Sequence, residues 1–437
     1  MSNFRQLTGV GRVSVARTAD STGHETSRRM PRRRDYLGAV GPGVVAGAAD
    51  TDPTTVATLV VVGATTVYGL AWLTLLLLPM LAVVQTLATR VGLVSGRDLQ
   101  KAVTDAYGRR WGVLLLVSIL TVNVVTIAAD LEAGAAAIGI ATGDRWTWFV
   151  APLALLLLGL LIIGRYDEVQ RVLKYVLLCL FAYGVAAVLA HPHWAAVARG
   201  CLLPQLGFSA DYLAGALALL GTTLTTYMYV WQTVEQVEDR PGRRWLGVRE
   251  FDAVMGTVLA VVVFWFILVA SGATLGVHHL NVDTAAQAAQ ALRPVAGRFA
   301  SLLFAVGLLA SAVVALPVIM ASTAYATGSA FNWRRGLSQP VRDAPGFYAV
   351  LAAGAVLGTV LALAGVRPIR LLFVASIIAG VATPIGLVML VLVAGNSRLM
   401  RGQPAGRPLR TTAWMITGAV TVVSVVYLAQ QLHLLGS

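Results

Sequence analysis

Long apolar runs alternate with short polar segments from about residue 38 to residue 433. About 20 apolar residues of helix cross a bilayer core. Eleven stretches come near that length: 38–63, 68–93, 111–140, 146–164, 172–190, 210–234, 252–276, 297–330, 346–365, 369–395 and 411–433. The pattern predicts an all-α, polytopic membrane protein with about 11 transmembrane helices. The segments between the runs are too short for a soluble domain, so whatever the chain does is expected to happen within the membrane. Residues 1–35 read as a polar, arginine-rich tail.

Composition agrees with the pattern. Of 437 residues, 57% are hydrophobic and 12% charged, whereas a soluble domain carries about twice that charged fraction. The net charge of +13 on its own points toward nucleic acid, but the placement of the charges points elsewhere. With the N-terminus inside, 27 of the 33 basic residues fall in inner segments, and only Arg145, Arg199, Arg293, Arg298, Arg367 and Arg370 fall outside. Positive residues are retained on the cytoplasmic side. The expectation is therefore a multi-pass plasma-membrane protein with a cytoplasmic N-terminus and an extracytoplasmic C-terminus. The run Arg28–Arg34 is expected to touch anionic lipid head groups. The lipid bilayer is the expected surrounding, with no nucleic-acid partner and no obligate protein partner. Cys179 and Cys201 fit neither a disulfide framework nor a metal cluster. The chain has no phosphate loop, nucleotide fingerprint or zinc-protease motif, so neither an ATPase of its own nor enzymatic activity is expected.

Four acids lie deep within the spans: Asp50, Asp52, Asp130 and Glu132. No deep lysine, arginine or histidine neutralises them. Intramembrane carboxylates are costly and default to functional candidates; here they are either protonated or bind a soluble cation. Span 1 reads Asp50-Thr51-Asp52-Pro53-Thr54-Thr55. Pro53 removes an amide donor and disfavours helical geometry at Asp52, so the helix should break there. The freed carbonyls, the carboxylate and the hydroxyls of Thr54 and Thr55 make an oxygen-rich pocket suited to a hard cation. Span 6 carries Gly221-Thr222-Thr223-Leu224-Thr225-Thr226-Tyr227, a second weak point five spans later. Interrupted helices at matching positions of two halves mark an inverted-repeat transporter with its site at the midplane. The repeats would be 36–200 and 201–397, with 398–437 holding span 11 and the C-terminus. In span 3, Asn123, Thr126 and Asp130 share one helix face, whereas Glu132 lies about 200° round from Asp130.

These residues carry a family resemblance. Gly41-Pro42-Gly43, Asp52-Pro53-Thr54-Thr55-Val56-Ala57-Thr58, Gln85 to Arg90, Ser95-Gly96-Arg97-Asp98-Leu99 and Asp130-Leu131 resemble the NRAMP divalent-metal transporters over most of the chain from about residue 36. The resemblance implies a LeuT-type inverted-repeat fold (5+5) with helices 1 and 6 broken. It also implies import of manganese and ferrous iron, usually with protons.

The departures from the family pattern are informative. Of the family's Asp-Pro-Gly-Asn motif, Asp52 and Pro53 remain, but Thr54 and Thr55 replace the glycine and asparagine. The family's Met-Pro-His is here Thr225-Thr226-Tyr227, so the soft ligand and the histidine are both gone. A family backbone carbonyl maps to Thr222. The family glutamates map to Asn123 and Ala133, with Glu132 next door. Thioether sulfur favours soft transition metals, and replacing it with hydroxyl leaves an all-oxygen site. The pattern is similar to the NRAMP-related magnesium transporters, a branch that lacks the methionine and whose proton coupling is weak or absent.

The expectation is a secondary transporter that imports a divalent cation, magnesium first and manganese second, by alternating access and without a resident cofactor. Asp52 is the main expected ligand. Thr55 and Thr225 add hydroxyls, Thr222 a carbonyl and Asp50 outer-shell charge. Asp130, Asn123 and Glu132 are expected along the proton or ion route. The alternative is a proton-coupled manganese or iron symporter. More remote readings are an intramembrane aspartyl protease using Asp52 and Asp130, and a cation channel.

Overall fold

The computed structural model describes residues 50–163, 182–207, 209–239, 242–278, 300–364 and 368–435, with Gly47 and a few positions between 280 and 297. The basic tail, most of the first half of predicted span 1, most of predicted span 5 and Cys179 lie outside the described residues. Every regular element among the described residues is helical.

The break predicted in span 1 is present. Asp50 lies in a turn, Thr51 in a bend, and helix α1 (Pro53–Thr66) starts only after Asp52. Asp52 is its N-cap, with φ −71° and ψ 166°. Pro53 takes the first helical position, where its missing amide costs nothing and its fixed φ suits the helix. After Gly69 the chain turns into α2 (Ala71–Arg90), which closes in a π-helical turn, Val91–Ser95. A short amphipathic helix absent from the sequence reading, α3 (Leu99–Tyr107), follows, capped by the Asp98 side chain on the Lys101 amide at 2.9 Å. Spans 3 and 4 are α4 (Arg109–Thr142) and α5 (Thr147–Ile163). Two shorter helices follow, α6 (Ala182–Leu189) and α7 (Trp194–Leu202).

Span 6 is broken as expected. It forms α8 (Ala210–Thr223) and α9 (Thr226–Asp239), with Leu224 and Thr225 non-helical between them. The hydrogen-bond ladder reaches the Leu224 amide on the Leu220 carbonyl and resumes with the Met228 amide on the Thr225 carbonyl. The Thr383 hydroxyl of a neighbouring helix lies 3.3 Å from the Leu224 carbonyl freed by the break, although its hydrogen is nearer the Ala379 carbonyl of its own helix at 2.8 Å. Next come α10 (Leu246–Ser271), which also ends in a π turn, Gly272–Gly276, then α11 (Ala300–Ala330), α12 (Pro345–Ala362), α13 (Pro368–Gly395) and α14 (Arg407–Leu435). Among the described residues eight helices are long and apolar enough to cross a membrane, and α1 and α5 are shorter apolar helices.

The surface is apolar and the interior carries the polar groups. Leu155, Leu156, Ile163, Met415, Val422 and Leu432 are all strongly exposed, a distribution that fits lipid rather than water. Thr54, Thr55 and Thr58 of α1, Asp130 and Glu132 of α4, Thr222 and Thr223 of α8 and Ser322 and Thr323 of α11 are buried. α4 packs against α11, α12 and α13, and α2 packs against α10; α1 touches both groups. Small residues allow backbone-to-backbone contact between helices. A Cβ on Gly221 of α8 would stand 2.2 Å from both the Gly380 nitrogen and the Ser376 carbonyl oxygen of α13. Neither backbone atom can move without shifting its helix. Gly221→Val is therefore expected to destabilise the bundle by about 3 kcal/mol or more, read as a lower melting temperature and loss of the monodisperse peak in detergent.

Candidate functional site

The two breaks face each other. Asp52 supplies the carboxylate: Oδ1 accepts from the Thr55 amide at 2.6 Å and Oδ2 accepts from the Tyr227 hydroxyl at 3.0 Å. A carboxylate offers about four lone-pair sites, so each oxygen keeps capacity for a further partner. The carboxylate also sits at the N-terminus of α1, where the free amides and the helix dipole favour negative charge. At the third residue of the helix, Thr55 Oγ1 and Thr222 Oγ1 share a hydrogen bond of 2.7 Å, again joining span 1 to span 6. All of these groups are buried: Asp52, Thr222 and Thr225 at 2% exposure, Tyr227 at 1% and Thr55 at 0%. The converging side chains present carboxylate, phenol and hydroxyl oxygen.

Span 3 joins the same centre through Thr54, whose hydroxyl donates to Asp130 Oδ1 at 2.7 Å. Asp130 Oδ2 has no protein donor. Asn123, about two turns earlier on the same face of α4, donates to Ser322 Oγ at 3.2 Å and Thr323 Oγ1 at 2.8 Å, both on α11. Asn123 thus ties α4 to α11 and has no hydrogen bond to the Asp52 centre. Glu132 is fully buried and neither of its oxygens has a hydrogen-bond partner. Further along α1, Thr58 Oγ1 shares a 2.7 Å hydrogen bond with Ser376 Oγ of α13.

Asp50 has no hydrogen bond to this constellation, but its charge acts on both Asp52 and Tyr227. Its carboxylate lines a separate cavity with Gly47, Leu81, Gln85, Gln232, Ala253 and Thr257. The sequence reading brackets Asp50 with Asp52 because they are two residues apart. The non-helical backbone between them lets the two carboxylates take different surroundings. Tyr227, the direct partner of Asp52, is absent from the expected ligand set. Its position in the threonine run of span 6 was the available signal.

Toward the end of α9 a larger cavity of about 200 Å³ is lined by Asp98, Val234, Val237, Glu238, Tyr325, Trp333 and Arg335. Asp98 Oδ2 there accepts from Ser329 at 2.6 Å and Arg335 at 3.0 Å.

Comparison with known proteins places this architecture. The profile of the family described as Nramp, natural resistance-associated macrophage protein-like, matches residues 43–430. A divalent metal cation transporter MntH of Deinococcus radiodurans is 28% identical over 407 residues, covering 90% of this chain and 89% of the relative. A Yersinia pestis MntH is 26% identical over 417 residues, with 92% and 96% covered. Among solved structures, the Eremococcus coleocola manganese transporter superposes with a TM-score of 0.73 at 18% identity, covering 93% of this chain and 90% of that one. Mhp1, a nucleobase-cation-symport-1 family transporter, superposes with a TM-score of 0.59 at 12% identity, with 89% and 91% covered. Likeness at these identities speaks for the fold: an all-helical, LeuT-like arrangement with helices 1 and 6 interrupted.

Proposed function

Because this chain belongs to the Nramp family, we propose that it is a secondary transporter that moves a divalent metal cation by alternating access, magnesium first and manganese second. The observation that carries this reading is the meeting of two helix breaks at Asp52, Thr55, Thr222 and Tyr227, where every side chain in the hydrogen-bond network offers oxygen. Magnesium dehydrates reluctantly and is commonly held by one or two carboxylates while it keeps several waters. One carboxylate ringed by hydroxyls suits that binding mode. Manganese accepts the same oxygen donors, and relatives of this chain bear the name of divalent metal or manganese transporters.

In this reading Asp52 is the charged ligand. Thr55 and Thr225 contribute hydroxyls directly or through water, Thr222 a carbonyl, and Tyr227 holds the carboxylate in place. The Thr54–Asp130 bond connects the ion site to span 3. The protein sits in the plasma membrane with its N-terminus in the cytoplasm and its C-terminus outside, following the arginine bias of its loops. Transport runs inward, through the cavity at the end of α9.

Asp130 supports a second reading, a proton-coupled manganese or iron symporter. It is a buried carboxylate hydrogen-bonded to the residue beside the ion site, with one oxygen unpartnered. Purified protein in liposomes that enclose a pH dye and a metal dye separates the two. The first reading expects magnesium and manganese uptake without internal acidification. Uptake of manganese alone, with acidification, selects the second, and uptake of neither ion overturns both.

A further inference from the structure

The cavity beside Asp50 has a composition of its own. It is about 10 Å³, the room of roughly one water molecule, and it lies between the start of span 1, α2, α9 and α10. Both Asp50 oxygens, Gln85 Oε1 and Gln232 Oε1 are buried there without any hydrogen-bond partner. The orientation of Gln232 is fixed by its neighbours. Thr89 Oγ1 gives its hydrogen to the Gln85 carbonyl at 2.9 Å, so it can only accept from Gln232 Nε2, at 3.1 Å. Gln232 must therefore direct nitrogen to Thr89, and its oxygen is the unpartnered end. Thr257 likewise gives its hydrogen to the Ala253 carbonyl at 3.1 Å, leaving only lone pairs on its oxygen. The charged or polar side chains lining the cavity are thus a carboxylate, two amides with unpartnered oxygens and a hydroxyl whose hydrogen is already committed. Among the described residues no lysine, arginine or histidine lines it.

Leaving four buried acceptor atoms without donors costs free energy at each one. A single water donates two hydrogens and cannot serve all of them. A cation serves them together. Charge decides which kind. With one carboxylate and otherwise neutral ligands, a monovalent ion brings the site to neutrality, whereas a divalent ion leaves an uncompensated buried charge. Size agrees, because magnesium retains several waters for which this cavity has no room. The few oxygens available suit sodium better than the larger potassium ion.

We propose that Asp50, Gln85, Gln232 and Thr257 form a binding site for one dehydrated sodium ion, separate from the Asp52 centre. The site joins span 1 to α2, α9 and α10, so its occupancy would hold these four segments together. It does not depend on which metal the Asp52 centre carries.

The test is equilibrium binding of radioactive sodium to the full-length protein in detergent. Saturable binding approaching one sodium per chain is expected. Asp50→Asn should abolish it, and Gln232→Leu should weaken it by roughly tenfold or more. Asp52→Ala removes a neighbouring charge but none of the four ligands, so saturable sodium binding should persist in it with altered affinity, which keeps this result distinguishable from the transport reading. Absence of saturable sodium binding, or sodium binding by Asp50→Asn equal to the parent's, overturns the proposal. If Asp50→Asn does not fold, Gln232→Leu decides: parental affinity in that variant overturns the proposal equally.

Discussion

Asp52→Ala is expected to reduce magnesium and manganese uptake into liposomes by roughly 100-fold or more, the effect of losing about 3 kcal/mol from a charge-assisted ligand. The residue has two duties, however, and they must be separated. Its Oδ1 caps α1 through the Thr55 amide, and loss of an N-cap alone costs about 1 kcal/mol of stability. Asparagine caps helices as well as aspartate does but carries no charge. Asp52→Asn should therefore restore the melting temperature without restoring uptake. If the asparagine variant transports as well as the parent, Asp52 is a structural cap and the ion site lies elsewhere.

Thr225→Met is expected to change the selectivity of the site. Thr225 occupies the non-helical gap between α8 and α9 and is 2% exposed. A thioether there adds a soft ligand to a site of hard ones, and soft donors favour transition metals over magnesium. Magnesium uptake should fall. Cadmium, a soft competitor, should inhibit manganese uptake at concentrations roughly tenfold lower than in the parent, a change of about 1.4 kcal/mol. Unchanged cadmium sensitivity would mean that the 225 side chain does not reach the ion, and the hydroxyl assigned to that position would have to be withdrawn. Paired with Asp52→Asn, this variant asks about charge and softness separately.

The fold was largely legible because membrane helices announce themselves by length and hydropathy, and because Pro53 and the threonine run of span 6 weaken helices by local chemistry. The helix α3 was not legible: nine residues between two spans give no transmembrane signal, and its N-cap, Asp98, reads in sequence as a loop acid. The site was legible one half at a time. Asp52 and Thr55 follow from the break in span 1, and Thr222 from the family resemblance at the break in span 6. The register that sets Thr55 Oγ1 against Thr222 Oγ1, or Tyr227 against Asp52, depends on how two distant helices dock. The cavity of Asp50, Gln85 and Gln232 was hidden for the same reason. Its members come from spans 1, 2 and 6, and an isolated glutamine in an apolar run gives no indication of whether its oxygen will find a donor.

The two π turns carry a mechanical consequence. One ends α2 and the other ends α10, and these helices run antiparallel. Arg90 at the end of α2 pairs with Glu250 near the start of α10, while Gly272 and Gly276 pack against Val67 just ahead of α2. The widened turns therefore lie at opposite faces of the bundle. A π turn holds one residue more than the regular spiral needs. Passing that surplus along a helix exchanges one set of amide bonds for another instead of abandoning them. Each face is thus supplied with slack of its own, so that the rim on one side can loosen while the opposite rim stays wound.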